Sequence, residues 1–241
     1  MRVATFNIHH GTVGKQGPVD PDRLGEVCAG FGADVIALEE VDLGTYRGHR
    51  ADLAAAAARA CGMVHVFGPS RRFPGGWYGN ALLVRGDLES WSVTGLPKVP
   101  SWRLWQERRT VLQAAVRVDG QPWSIAATHL AVPQGVNGPQ LDRVLDLVAD
   151  RPRPLVVLGD LNRFPSTVEP AARAAGLAYV PHGPTNPVPH RRLVIDHVLV
   201  SPDVRVGAVE VRSTPMSDHA ALLVDLEVSG LPVEERRPER S

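Results

Sequence analysis

Six of the apolar runs in this 241-residue chain finish on Asn, Asp, Glu or His, and this recurrence constrains the fold more than any other feature. The run 3–6 ends at Asn7, and 35–38 ends at Glu39-Glu40. The run 124–128 ends at His129, and 155–159 ends at Asp160 with Asn162 two residues on. The run 193–195 meets Asp196-His197, and Ser217-Asp218-His219 directly precedes 220–224. One such Asn or Asp is ordinarily a turn residue whose side chain closes the chain locally. One such His is ordinarily a hydrogen-bonded rim residue. Six clusters at the ends of apolar runs ask for another cause. Strand ends converge on one rim of a layered sheet, where grouped carboxylates repel one another unless a cation sits among them.

The runs themselves read as strands: 3–8, 34–41, 64–67, 81–85, 110–118, 123–130, 155–161, 193–201, 204–213 and 221–228. Asp119-Gly120 between two of them suits a two-residue turn of positive φ, which predicts a hairpin over 110–130. Helical spacing lies between strands. Asp20 and Pro21 open a helix that Gly32 stops, and 53–60 is alanine-rich up to Gly62. Pro139 opens a third helix, and Ser166-Thr167-Val168-Glu169 has capping-box spacing before a fourth. This pattern predicts stacked sheets with helices outside.

Residues 1–230 are expected to form one domain, and 231–241, with Pro232, Pro238 and alternating charges, a frayed tail. No internal repeat is visible in the sequence. With 26 basic and 26 acidic residues the formal net charge is zero, against a protein that coats nucleic acid nonspecifically. Two cysteines, Cys28 and Cys61, are too few for a disulfide framework and read as buried thiols. No apolar run is long enough to span a membrane, and the start reads as a strand rather than a signal segment, so the cytosol is the expected location. No obligate protein partner is evident.

The clustered donors are mostly carboxylate and amide oxygens, with no cysteine. They favour a hard ion, Mg²⁺ or Mn²⁺, over a structural zinc. No GxSxG elbow and no P-loop occurs. What is left is metal-assisted attack by water aided by a His–Asp pair, chemistry that suits a phosphoester.

In these segments the chain resembles the endonuclease/exonuclease/phosphatase superfamily. The matching motifs are Thr5-Phe6-Asn7-Ile8-His9-His10-Gly11, Ile36-Ala37-Leu38-Glu39-Glu40-Val41-Asp42, Gly79-Asn80-Ala81-Leu82-Leu83, Thr128-His129-Leu130, Gly159-Asp160-Leu161-Asn162, Ile195-Asp196-His197 and Ser217-Asp218-His219. The resemblance implies an α/β fold, a four-layer α/β sandwich with two central, mainly antiparallel sheets. It implies Glu40 as metal ligand, with Asn7 and Asp218 in the same shell. Asp160 would orient or deprotonate the attacking water, and Asn162 would hold that water or a phosphoryl oxygen. His219 would contact the scissile phosphate as base or electrostatic stabiliser, its tautomer fixed by Asp196. His129 would bind the phosphate or protonate the leaving group, Arg109 would contact the phosphate, and Asn80 would support the site or serve as a structural turn amide. Three positions depart from the family pattern: Glu39 stands where Gln is frequent, His197 where Tyr is frequent, and Asn186 where an aromatic is frequent. Strand alternation predicts that Glu39 points to the opposite face from Glu40.

Specificity is expected in three rim loops. These are 69–78 with Arg71, Arg72, Phe73, Trp77 and Tyr78; 97–109 with Lys98, Trp102, Arg103, Trp105, Arg108 and Arg109; and 181–192 with His182, His190, Arg191 and Arg192. Their aromatics and arginines suit either base and phosphate binding or simple packing under solvated charges. With zero net charge and little room for insertions, a small or single-ended phosphoester is favoured over long duplex DNA. A binding protein that kept the fold and lost catalysis is the reading from another class. The acidic set beside His219 speaks against it.

Overall fold

A computed structural model describes residues 1–99, 106–190 and 192–229. Trp102, Arg103, Trp105, Arg191 and the expected tail lie outside them. Two mixed six-stranded sheets stack face to face, and four helices cover their outer faces.

Sheet I runs in the order β11 (Val204–Arg212), β12 (Ala221–Val228), β1 (Arg2–Asn7), β2 (Val35–Leu43), β4 (Gly76–Val84), β3 (Val64–Phe73). Sheet II runs β5 (Asp87–Gly95), β6 (Thr110–Val118), β7 (Gln121–His129), β8 (Leu155–Asp160), β10 (Asp196–Val200), β9 (Ala178–Tyr179). Each sheet has a single parallel pair at its centre, β1 with β2 and β7 with β8, and is otherwise antiparallel.

Period-two alternation builds the layers. Val3, Val35, Ala37 and Leu82 of sheet I meet Leu112, Ile125, Val156 and Leu158 of sheet II in the inner core. Their neighbours Ala4, Phe6, Ile36 and Leu38 face outward onto α1 (Pro21–Ala29) and α2 (Leu53–Cys61). On sheet II, Val111, Val157 and Leu199 pack under α3 (Gln134–Val148) and α4 (Pro165–Ala174). Cys28 and Cys61 are buried free thiols in the α1–α2 layer, as expected.

The caps explain the helix limits. Asp20 accepts from the Arg23 amide and Asp52 from the Ala55 amide, each satisfying an otherwise free first-turn donor. Gly62 closes α2 in the left-handed conformation. At the expected hairpin, Asp119 and Gly120 both take positive φ and join β6 to β7.

Several expectations are corrected. Pro139 does not open α3 but lies inside it, since the helix begins at Gln134. Ser166 caps nothing: Pro165 takes the first helical position of α4, with Phe164 before it. The strand expected over 193–201 is confined to 196–200. The segment 69–78 is not a loop but the β3–β4 hairpin, with its turn at Pro74-Gly75. The edge strand β5 was not foreseen.

A repeat invisible in the sequence is plain in the topology. The succession β1-α1-β2-α2-β3-β4-β5-β6 is repeated as β7-α3-β8-α4-β9-β10-β11-β12. In each half the last hairpin leaves its own sheet: β5–β6 joins sheet II and β11–β12 joins sheet I. Element order is repeated while the residues filling it differ, which is why the repeat does not read in the sequence.

Candidate active site

One rim of the sandwich collects the polar strand ends, and register does most of the positioning. His129, Asp160 and Asp196 are lateral partners on β7, β8 and β10, so they form a row across sheet II. Gly159 lets these strands close up: its φ is +144°, and a Cβ there would lie 1.8 Å from the Thr128 carbonyl oxygen. Opposite, Asn7 of β1 stands beside Glu39 of β2. At Glu40 the β2–β4 register slips and φ is +58°, a bulge that breaks strand alternation. The Asn7 amide nitrogen then donates to Glu40 Oε1 at 3.2 Å and to Asp160 Oδ2 at 3.1 Å, joining the two sheets.

His219, just before β12, reaches across to sheet II. Its Nδ1 lies 3.0 Å from Asp196 Oδ2, and its Nε2 is 3.9 Å from Asp160 Oδ2. Asp196 also accepts from the Thr185 hydroxyl. Burial opposes the imidazolium of His219, but the charge and hydrogen bond of Asp196, with Asp160 and Asp218 beyond, raise its pKa to about 10. Burial likewise opposes the charge of Asp196, and His219 with Thr185 holds it below the usual carboxylate range. Asp160 has no such partner. Burial and the neighbouring Asp196 raise it to about 7, against the lowering influence of His219, Asn7 and the Asn162 amide.

On the other flank, Arg109 is buried, with one guanidinium nitrogen 3.0 Å from His129 Nδ1 and another 3.0 Å from Glu107. A guanidinium only donates, so Nδ1 accepts and a neutral ring carries its proton on Nε2, which lies 3.2 Å from the Asn162 side-chain amide and 3.4 Å from Asp160 Oδ2. Burial and the Arg109 charge hold His129 well below the ordinary histidine value. Asn162, at φ +50°, donates its backbone amide to Asp160 Oδ1 and its side-chain amide to the Leu130 carbonyl.

The structure therefore brings together Asn7, Glu40, His129, Asp160, Asn162, Asp196, His219 and Arg109. Among the described residues, the tight group of metal-capable atoms is Asp160, Asp196 and His219, within 4.8 Å of one another. Glu40 joins it through Asn7, whereas Asp218 stands outside it, 3.9 Å from Lys15. Asn80 spends its amide nitrogen on the Thr110 carbonyl, pinning sheet I to sheet II next to Arg109. His197 donates from Nε2 to the Arg163 carbonyl, and burial lowers it to about 4. Asn186 holds the Asp218 carbonyl. Glu39 is buried and accepts from the Thr5 hydroxyl at 2.8 Å. Burial, then Asp196, push its pKa well above the usual range.

Thr185, Glu107 and Tyr78 were missed as site residues. Thr185 reaches Asp196 eleven residues on, and Glu107 joins Arg109, two residues on, to the distant Arg71. Tyr78 was visible as a loop aromatic; it is buried beside Arg109 and Glu40, where burial and then the Glu40 charge raise its hydroxyl pKa.

The donor set fits a hard cation. Asp160 is a buried carboxylate that the protein leaves poorly compensated, and one oxygen of Glu39 has no hydrogen-bond partner. Oxygen donors from Asn7, Glu40 and Asp160 meet there, the donor type a hard cation takes.

The two stacked sheets carry an acid–histidine cluster at one rim, with a buried arginine beside it. The chain belongs to the endonuclease/exonuclease/phosphatase family, whose model matches residues 4–219, and it is an enzyme. An endonuclease/exonuclease/phosphatase from Beutenbergia cavernae DSM 12333 is 26% identical and superposes with a TM-score of 0.79 over 97% of this chain and 72% of its own. The mannosyl-6-phosphatase of Bacteroides thetaiotaomicron VPI-5482 is 17% identical, TM-score 0.70, over 94% of this chain and 99% of its own. The human Nocturnin catalytic domain with bound sulfate is 20% identical, TM-score 0.72, over 95% and 94%. No curated protein matches significantly. Among the described residues, no helix is long and apolar enough to cross a membrane.

Proposed function

We propose that this enzyme hydrolyses a phosphoester by direct attack of water, with Mg²⁺ or Mn²⁺ held by Glu40 and assisted by Asn7 and Asp218. The cation, when bound, neutralises charge on the phosphoryl oxygens. Asp160, titrating near neutrality, takes the proton of the attacking water, and Asn162 orients that water or a phosphoryl oxygen. His219 is an imidazolium at neutral pH, so it stabilises the phosphoryl charge rather than acting as base, and Asp196 fixes its ring. The Arg109 guanidinium binds the phosphoryl group. His129, neutral with its proton on Nε2, is a hydrogen-bond donor to the phosphate or the leaving group. The observation that carries this reading is the facing of a base and an acid, Asp160 Oδ2 and His219 Nε2, across 3.9 Å.

The test is turnover of a panel of phosphomonoesters and phosphodiesters with Mg²⁺, with Mn²⁺, and with chelator. Chelator-sensitive turnover that Asp160→Asn abolishes is expected. Absence of metal-dependent turnover on every member defeats the reading.

A second reading, action on nucleic acid, draws support from one corner of the site. Arg71 and Arg109 both pair there with Glu107, Arg72 lies over the Trp77 ring, and Trp77, Lys98, Arg108 and Arg109 line a groove of about 470 Å³. If nucleic acid is the substrate, its KM should climb steeply with salt. A flat salt response favours a small ester.

A further inference from the structure

Three consecutive residues after Ile8 adopt the left-handed conformation: His9 at φ +43°, His10 at +60° and Gly11 at +75°. Glycine does this freely, whereas two histidines in succession do so against their preference. Such strain persists where the surroundings hold it in place, and it clusters at functional sites. Here it delivers His10 to Glu40, itself at positive φ: His10 Nδ1 lies 3.4 Å from Glu40 Oε2.

That contact is not a hydrogen bond. His10 Nδ1 is buried and has no hydrogen-bond partner at all. The two atoms are near neighbours that do not point at each other. Cis donors around a small divalent cation, with bonds of about 2.1 Å at right angles, stand about 3 Å apart. His9 is placed differently, since its Nδ1 is engaged with the Thr12 hydroxyl at 3.1 Å. Arg47, the nearby cation that would repel a metal, is already neutralised by two hydrogen bonds to Asp42, at 2.6 and 2.8 Å.

We propose that His10, through Nδ1, is a nitrogen ligand of the divalent cation held at Glu40, and that it biases this site towards Mn²⁺ over Mg²⁺. The proposal rests on the reading above that a divalent cation works there. Mn²⁺ stands lowest in the first-row order of nitrogen affinity yet still accepts an imidazole more readily than Mg²⁺, which prefers oxygen, so a single nitrogen shifts selectivity without changing the charge of the site.

The test is pulsed electron paramagnetic resonance of the full chain with one equivalent of Mn²⁺, beside calorimetric titrations with Mn²⁺ and with Mg²⁺. The unsubstituted protein and His9→Gln should show nitrogen coupling to the manganese, and His10→Gln should lose it. In His10→Gln the Mn²⁺ Kd should weaken by about ten-fold or more while the Mg²⁺ Kd stays within about three-fold. His10→Gly guards against a folding artefact, because glycine accepts the left-handed backbone; it should melt no lower than the parent and show the same metal defect. Bound Mn²⁺ without nitrogen coupling, or coupling that survives His10→Gln, overturns the assignment of His10 alone. Failure of any Mn²⁺ to bind the unsubstituted protein overturns the metal reading itself.

Discussion

Burial and then the charge of Asp196 push the Glu39 carboxyl well above the usual carboxylate range, while the adjacent Glu40 is turned to the rim by a bulge. A raised carboxyl pKa means the folded state keeps a proton that the unfolded chain releases. Stability from this group is therefore full below the unfolded value of about 4.3 and declines as pH rises above it. Glu39→Gln, which is neutral at every pH, should melt no lower than the parent in metal-free buffer at pH 8, with the difference closing towards pH 4. Glu40→Gln should keep the melting temperature and lose metal-dependent turnover by orders of magnitude. Equal metal defects in the two variants, measured by calorimetry, would mean that Glu39 is itself a ligand. For His219 the sign is the same, over a higher pH range. With a folded pKa of about 10 and an unfolded value of about 6.5, its contribution is complete below about 6.5 and fades towards 10. Asp196→Asn should flatten that alkaline decline in melting temperature. Asp196→Asn and His219→Ala should each lower turnover by about 10²–10⁴-fold. The double variant should lose little more than the worse single one, because the pair acts as a unit. Multiplicative losses would separate them.

At the scale of elements, the tightest constraint is the β7–β8 pair, where Gly159 brings the two strands into contact through backbone alone. Gly159→Ala places a methyl group on a carbonyl oxygen that no rotamer change can move. A cost on the order of 4 kcal/mol or more is expected, lowering the melting temperature by about 10 °C or preventing folding. A melt within a few degrees of the parent would show that the strands can part there without harm. The polar strand ends gathered at the rim were legible in sequence because each is a short local pattern, an apolar run with a polar stop. What escaped was set by tertiary contact. Edge strand β5 alternates poorly and is largely solvent-facing, so Asp87-Leu88-Glu89-Ser90 carries little strand signal. The β3–β4 hairpin was masked by Pro69, Pro74 and paired glycines, which mark a loop unless a register shift absorbs them, as happens after Pro69. The alternation expected between Glu39 and Glu40 is broken by the bulge at Glu40, which no spacing rule reveals.

At the scale of the molecule, the two topological halves share the site between them. Asn7, Glu40, Asn80 and Arg109 come from the first, and His129, Asp160, Asp196 and His219 from the second. Each half also closes the other's sheet, since β6 pairs with β7 and β12 with β1. A chain truncated after residue 220 should fail to fold cooperatively, because it lacks the strand lying between β11 and β1. A sharp two-state melt of that fragment would contradict this. The same pairing bears on synthesis. As the chain leaves the ribosome, β1 emerges first, yet its antiparallel neighbour β12 is made some two hundred residues later. Until then one edge of the nascent first strand, with the Asn7 end of the site, stays open to chaperones or to other nascent chains. His219 is placed beside Asp160 only as that last neighbour docks, so the acid–base pair proposed above is assembled only once β12 has been made.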